Sequence, residues 1–448
     1  MKNLIKIANG QGFWGDSIDA PTKLLKYGKI DYLTLDYLAE VTISIMQKQK
    51  LKNKMFGYAR DFVDLIVDNQ ENIKKNKIKI ITNAGGVNPL ECAKAIKKRL
   101  KKTNNFKIGV IQGDDILNQI DGMIKNGEDF KNLETGESIS KIFSNITSAN
   151  VYINSFSVKD ALDKGADIVL AGRVSDPGLT LGPLLHEYQW KSNDYNKLAS
   201  GTLAGHIIEC GAQCTGGNYT KWYELEDISN IGYPIVEVKK NGDFSVTKPP
   251  NTAGIVNRLS VIEQVLYEMG DPNKYISPDV CVDFTSFNLN ESKKNVVSID
   301  SVKGFKPTTT YKVSISYFSG YKCSAQLTIS GPNSYDKAKL VAKTIWERLK
   351  LAGTTFNKKN TEYLGFNSCH KNINLKYGGA NEIVLRLSVK DDNREKVERF
   401  SKEISPIITS GPPGVTGFAG GRPKVQDVIS FWPALIDKKL ITTNVKIL

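Results

Sequence analysis

The chain has 448 residues, which at roughly 150 residues per domain leaves room for two or three domains. Hydrophobic residues make up 40% and charged residues 24%, a globular composition that excludes an intrinsically disordered chain. Lys and Arg number 61 against 47 Asp and Glu, a formal net charge of +14. Such a field draws anions. The lysines are dispersed, however, as at Lys97, Lys98, Lys101 and Lys102, and no zinc-finger or RNP-like pattern accompanies them. Nucleic acid is therefore not an expected partner. No run of about 18 apolar residues occurs, and residues 1–15 lack the apolar stretch of a signal peptide. The six cysteines are thinly spread, which suits free thiols in a reducing compartment. The expectation is a cytoplasmic protein with no membrane segment.

The first half repeats one unit: an apolar strand, a turn bearing glycine or a carboxylate, then a helix. Residues 4–8 run into Asn9-Gly10-Gln11-Gly12, and 32–35 form a second strand with Glu40 just beyond. Residues 78–82 lead to Asn83-Ala84-Gly85-Gly86, 106–111 to Gly113-Asp114-Asp115, and 166–170 to Ala171-Gly172-Arg173. Pro89 suits the first turn of a helix in which Cys92, Ile96 and Leu100 share a face. Near-continuous apolar strands alternating with helices predict an α/β fold with a mainly parallel sheet, doubly wound or barrel-like. In either arrangement, ligands bind beyond the C-terminal ends of the strands. The polar stretch 121–148 reads as an insertion or a substrate-side lid.

From about residue 232 the pattern changes. Residues 235–238 and 244–246 flank Asn241-Gly242, a hairpin with a primed turn. A helix is expected over 259–269. Residues 311–318 and 322–329 read as a second hairpin around Gly320, followed by a helix at 338–351, a strand at 382–389 and a helix at 394–404. The expected domains are an α/β domain over 1–230 and a smaller α+β domain over 231–448. The tail Gly411-Pro412-Pro413-Gly414, with Gly417, Gly420 and Gly421, is a link or a ligand-contacting loop.

Gly10, Gly12 and Gly15 match G-x-G-x-x-G, with Asp16 beside them. Glycines after a strand let backbone N–H groups approach phosphate. A carboxylate next to that phosphate, and Pro21 close behind, favour a tight active-site turn over a dinucleotide site or plain packing. Asn83, Gly85, Gly86 and Gly113 give two strand ends a polar mouth. There Asp114 is a candidate acid or base, and Asp115 a helix cap or ligand contact. If both carboxylates face the pocket, repulsion raises one pKa. Gly172 and Arg173 offer a guanidinium fork for a carboxylate or phosphate, with Asp176 to orient it or to act on substrate. Glu40 and His186 are further candidates for proton transfer. His206, Cys210 and Cys214 recur at i, i+4 and i+8, which leaves three readings open: zinc ligands, a Cys210 nucleophile activated by His206, or buried packing. Gln213, Gly216 and Gly217 extend that segment as substrate contacts. Lys248, ahead of Pro249 and Pro250, can meet an anionic end of the ligand.

Together these segments resemble the acyclic terpene utilisation family, almost from end to end. The likeness runs through Gly10-x-Gly12-Phe13-x-Gly15-Asp16, Asn83-Ala84-Gly85-Gly86-x-Asn88-Pro89, Gly113-Asp114-Asp115 and Gly172-Arg173-Val174-x-Asp176. It continues through Gly205-His206, Glu209-Cys210-x-x-Gln213-x-Thr215-Gly216-Gly217 and Lys248-Pro249-Pro250. The resemblance implies a role in breaking down citronellol- and geraniol-type isoprenoids, with isoprenoid acyl-coenzyme A or related branched acids as substrates.

The leading expectation is an enzyme of lyase or hydratase type on a branched acyl-coenzyme A or carboxylate. Strand-end glycines and Arg173 would hold the anion and polarise the carbonyl, while Asp114, Asp176, Glu40 or His186 moves the proton. The alternatives are a Cys210-dependent acyl transferase or thioesterase, and a non-catalytic accessory subunit of an acyl-coenzyme A enzyme. No tightly bound cofactor is expected, coenzyme A enters as part of a substrate, and use of a divalent metal is left open. A homo-oligomer is expected, with room for a small partner subunit.

Overall fold

The computed structural model describes residues 2–225, 227–366, 368, 369, 380–417 and 421–448. They form two compact units, Met1–Ser316 with Phe431–Leu448, and Tyr317–Ser430.

In the first unit the apolar runs become strands β1 (Leu4–Asn9), β2 (Tyr32–Leu35), β3 (Lys79–Thr82), β4 (Ile108–Gln112), β5 (Ile146–Val151) and β6 (Ile168–Leu170). Parallel pairing joins all of these but β5, in the order β1–β2–β3–β6–β4. Neighbouring residues such as Ile80, Ile81, Ile168, Val169 and Leu170 point to opposite faces yet are all fully buried. That is why these strands read as unbroken apolar runs rather than as alternation. Helices α1 (Asp19–Tyr27), α2 (Glu40–Lys52), α3 (Arg60–Asn76) and α4 (Pro89–Arg99) share one core with this sheet through Leu24, Met46, Phe62, Ile66 and Ile96. After the short α5 (Ile120–Lys125), helices α6 (Phe156–Asp163), α7 (Gly178–Tyr188) and α8 (Tyr195–Ile208) pack against one another, with α7 against β1, β2 and β3. The sheet is thus doubly wound. Pro89 opens α4 as its sequence position predicts.

The chain beyond residue 230 extends the same sheet. Strand β7 (Ile235–Lys239) pairs antiparallel with β1, from Leu4 opposite Lys239 to Ala8 opposite Ile235, and forms the expected hairpin with β8 (Phe244–Thr247). Helix α9 (Arg258–Val265) starts at an Asn257 cap and is shorter than expected. Strands β9 (Tyr275–Ile276) and β10 (Cys281–Asp283) follow, then β11 (Asn288–Lys293), β12 (Val296–Asp300) and β13 (Lys303–Phe305). The sheet runs on through β8, β12 and β11, while β9, β10 and β13 form a small sheet beside α8. At the far edge the C-terminal strand Asn444–Ile447 pairs antiparallel with β4. The expected boundary at 230 therefore falls inside the first unit. An uncovered β1 would leave an apolar strand edge exposed, and β7 closes it. The stretch 121–148 is no free lid: Phe130, Ile139 and Ile142 are buried, and Trp432 Nε1 donates to the Phe130 carbonyl at 2.9 Å.

Strand β14 (Thr310–Ser330) leads into the second unit, followed by helix α10 (Ser334–Leu351), β15 (Lys358–Leu364), β16 (Glu382–Asp391), α11 (Arg394–Glu403), α12 (Ile407–Ser410) and β17 (Gln426–Asp437). The sheet order is β15–β16–β14–β17, and α10 and α11 close a core of Val341, Ile345, Leu385, Leu387 and Phe400. This is the expected α+β arrangement. The hairpin expected around Gly320 is instead one continuous strand. Gly320 takes φ +102° within it, where a Cβ would lie 2.8 Å from the Asp391 carbonyl oxygen, and Tyr321 opens the register opposite Asp391. The glycine marks an irregularity in the strand and not a turn. In the tail, Gly420 lies outside the described residues.

Candidate functional site

Parallel strands all end at one edge of the sheet, so the polar residue after each strand meets the others there. Asn9 ends β1, and its Nδ2 donates to the carbonyls of Ile208 (2.7 Å) and Glu209 (2.6 Å), fixing the end of α8 beneath it. Asp36 follows β2 and accepts from Asn83 Nδ2 at 2.7 Å, while Asn83 Oδ1 accepts the Tyr37 N–H at 2.7 Å. Asp114, after β4, accepts the Arg173 N–H at 2.7 Å and Asn150 Nδ2 at 3.0 Å. A Cβ on Gly172 would lie 2.3 Å from that carboxylate, so the contact requires glycine. Asp115 turns away and accepts the Leu117 N–H at 3.1 Å.

Arg173 is 3% exposed. Its guanidinium grips Asp176 with two nitrogens, donates to the Val174 carbonyl at 3.3 Å, and lies 4.1 Å over the Tyr152 ring. The Tyr152 hydroxyl donates to Glu40, and Lys312 sits 3.5 Å from the same carboxylate and 4.8 Å over the same ring. Burial opposes the Arg173 charge, but Asp176 and its other anionic neighbours hold it fully protonated. Burial also opposes the Glu40 charge, and the Tyr152 hydroxyl, a backbone amide, Arg173 and Lys312 together keep its pKa below the ordinary range. Asp36 is raised well above that range by burial and by Asp176. Asp176 is one-third exposed and opens onto a cleft of about 380 Å³ walled by Tyr152, Ser175, Tyr275, Ser277, Tyr311 and Lys312.

At the end of α8, His206 is buried against the stacked rings of Tyr275 and Phe284. Its Nε2 lies 3.2 Å from the Val265 carbonyl and its Nδ1 3.0 Å from Glu209. A carbonyl only accepts, so Nε2 carries hydrogen, and one proton is shared between Nδ1 and Glu209. Burial, then the charges of Asp176 and Glu268, push Glu209 up to about 7 against the pull of His206. Burial lowers the His206 pKa, but the charge and hydrogen bond of Glu209 outweigh it and the net direction is up. With both ring nitrogens engaged, His206 is not turned to Cys210, and burial together with Glu209 pushes that thiol up, away from thiolate. The expected i, i+4, i+8 face does not form either. Helix α8 ends at Ile208, Gly211 takes φ +60°, and Cys214 sits in a 3-10 turn. Among the described residues no cluster of three metal-ligating side chains occurs.

The sequence model of the acyclic terpene utilisation family protein AtuA matches residues 5–447. The chain belongs to that family. No curated protein and no solved structure matches it. Among the described residues of this family member, no helix is long and apolar enough to cross a membrane.

The structure brings Asn83, Asp114, Gly172, Arg173, Asp176, Glu40 and His206 to one sheet edge and takes His186 elsewhere. His186 lies roughly 12 Å along α7 from its start, against Asp163 at 2.6 Å, and the adjacent Glu187 accepts from Tyr32 at the opposite end of β2. Several expected ligand contacts are packing devices. Gly12 donates its N–H to Asp16 at 2.9 Å, and a Cβ there would meet the Cys210 backbone at 2.6 Å. At Gly10 a Cβ would meet Pro21 at 3.1 Å, at Gly85 the Ala171 carbonyl oxygen at 2.5 Å, at Gly86 Met46 at 2.3 Å, and at Gly113 the Thr442 carbonyl oxygen at 2.3 Å. Gly216 and Gly217 face Ile255 and Ala212, and Gln213 accepts from Asn218 at 3.2 Å. Lys248 donates to the Thr252 carbonyl at 2.5 Å, clasping its own loop. Asp36, Tyr152, Asn150 and Glu209 were not expected. Asp36 carried a legible signal, a carboxylate directly after an apolar strand, whereas Asn150 lies in β5 and Tyr152 just beyond it, and they carried none.

Burial, opposed by the Arg173 N–H and by Asn150, raises Asp114 from 3.8 to about 6. A carboxyl raised in the folded state contributes stability that is full below its unfolded pKa and is lost as pH rises through the folded value. Between about pH 4 and 6, urea-unfolding free energies of Asp114→Asn should therefore fall less steeply than those of the wild type, by up to roughly 1.4 kcal/mol per pH unit. Parallel curves for the two proteins would contradict this assignment.

Proposed function

We propose that the protein is an acid–base enzyme of lyase or hydratase type, acting on a branched acyl-coenzyme A or the related carboxylate. The observation that carries this reading is Asp176, anchored from behind by the buried Arg173 and opening onto a cleft that also holds Lys312. In the dehydration direction Asp176 takes the proton from the carbon next to the carbonyl, while Lys312 faces the negative charge that develops on the carbonyl oxygen. The C–H electron pair becomes the new C=C bond, the C–O bond breaks, and the leaving hydroxide takes up the proton that Asp176 removed and departs as water. Hydration is the reverse. The charge of Asp176 acts on Glu209, the partner of His206, and Tyr152, Tyr275 and Tyr311 provide apolar faces for a branched chain. Membership of the acyclic terpene utilisation family supports a role in acyl or terpene catabolism.

The test is incubation with branched unsaturated and 3-hydroxy substrates, as coenzyme A thioesters and as free acids, in deuterated water with products followed by mass. Gain or loss of one water, with deuterium beside the carbonyl, is expected. Asp176→Asn should lower kcat about 10²- to 10⁴-fold, and His186→Ala, at the other end of the sheet, should leave it unchanged. No exchange and no mass change across the panel would overturn the reading, and an accessory role with a partner subunit would take its place.

A further inference from the structure

One sequence motif that the Asp176 cleft does not use, Pro249-Pro250, lies elsewhere in the same unit. Ser17, α1, the stretch 229–233 and Pro249–Thr252 wall a second cavity there, of about 590 Å³. It shares no lining residue with the Asp176 cleft, and its volume lies within the roughly 300–1,000 Å³ of small-molecule sites.

The polar framework of this cavity is satisfied from within. Lys248 Nζ donates to the Thr252 carbonyl at 2.5 Å, Thr252 Oγ1 to the Pro249 carbonyl at 2.6 Å, and the Ala253 N–H to the Asn230 carbonyl at 2.8 Å. Tyr233 gives its hydroxyl to Asp16 at 2.5 Å. What remains facing the space is largely hydrocarbon: Ala20, Leu24, Ile231, Pro249, Pro250 and the Tyr27 ring. The cation among the lining residues is Lys23, whose Nζ donates to the uncharged Asn230 Oδ1 at 3.1 Å. Apolar walls favour a chain removed from water, and an ammonium beside a neutral amide retains its charge for an anion.

We propose that this cavity is a second ligand site, which takes a small amphiphile with its hydrocarbon chain between α1 and the Pro249-Pro250 wall and its carboxylate at Lys23. Titration calorimetry of the full chain with octanoate and with octan-1-ol tests it without reference to the proposed reaction. One octanoate per chain is expected. Lys23→Met should weaken octanoate roughly three- to fivefold, the weight of an exposed ion pair, and leave octan-1-ol as it was. Ser229→Trp places an indole at the exposed mouth and should weaken both ligands about tenfold or more, with the thermal midpoint of the free protein unchanged. The proposal is overturned if neither ligand binds saturably. It is equally overturned if Ser229→Trp leaves binding intact while the variant is folded, because the ligand then sits elsewhere.

Discussion

Replacing Arg173 by methionine is expected to remove a third or more of the folding free energy and to abolish turnover. The guanidinium is buried, grips Asp176 with two nitrogens and sits over the Tyr152 ring. It also offsets the burial and repulsion that act on Asp36. Removing one partner of a buried ion pair costs about 3–5 kcal/mol because the other charge stays behind without compensation, and a desolvated cation–π contact adds up to about 2 kcal/mol. Against a usual total of about 5–15 kcal/mol, that is a large share. Arg173→Lys keeps the charge and loses the planar fork, so it should recover part of the stability and little activity. Asp176→Asn should be the milder change for stability, since that side chain is one-third exposed and water screens what is left. Urea unfolding of the three variants beside the wild type checks this order. An Arg173→Met protein within about 1 kcal/mol of wild type would mean that the cluster is held by its backbone contacts instead.

Gly12→Ala should be nearly as severe, for a steric reason. The new Cβ would stand 2.6 Å from the Cys210 carbonyl carbon and 2.9 Å from its Cα, both backbone atoms that cannot rotate away. The neighbouring Glu209 carbonyl is itself held by Asn9 at 2.6 Å, so relief of the clash pulls on the segment that carries the shared proton. A loss of about 3 kcal/mol is expected, at the upper end for an overpacked site. Gly15→Ala in the same turn is the comparison. It takes φ +106°, and its nearest neighbour is the flexible Phe13 side chain at 4.0 Å, so only the backbone cost of about 1 kcal/mol applies. Thermal or urea denaturation separates the two, and equal losses would mean that the turn tolerates displacement of Cys210.

The strand ends were legible because each announces itself locally. An apolar run followed by Asn83, by Asp114 or by Gly172-Arg173 needs no knowledge of distant residues, and doubly wound folds collect such positions at one edge. Pro89 opening α4 and the Asn241-Gly242 hairpin are legible for the same reason. Signals that depend on where an element ends were weaker. His186 stands on the helix that follows Asp176, but a helix begun at the site carries its far end to the opposite side of the sheet. His206, Cys210 and Cys214 have helical spacing, but Gly211 breaks the helix before the face is complete.

Period, turn chemistry and glycine placement by themselves determined the α/β character of the first unit, the helices on the second sheet, and most of the residues at the candidate site. Tertiary structure decided what no local pattern encodes. It set β7 against the open edge of β1, made one strand of Thr310–Ser330, brought Tyr152, just beyond β5, between Arg173 and Glu40, and turned the glycine loops into close backbone contacts. The division has a physical cause. Local backbone preferences act over a few residues, whereas strand order and side-chain contacts are chosen by burial of apolar surface and satisfaction of buried polar groups across the whole chain.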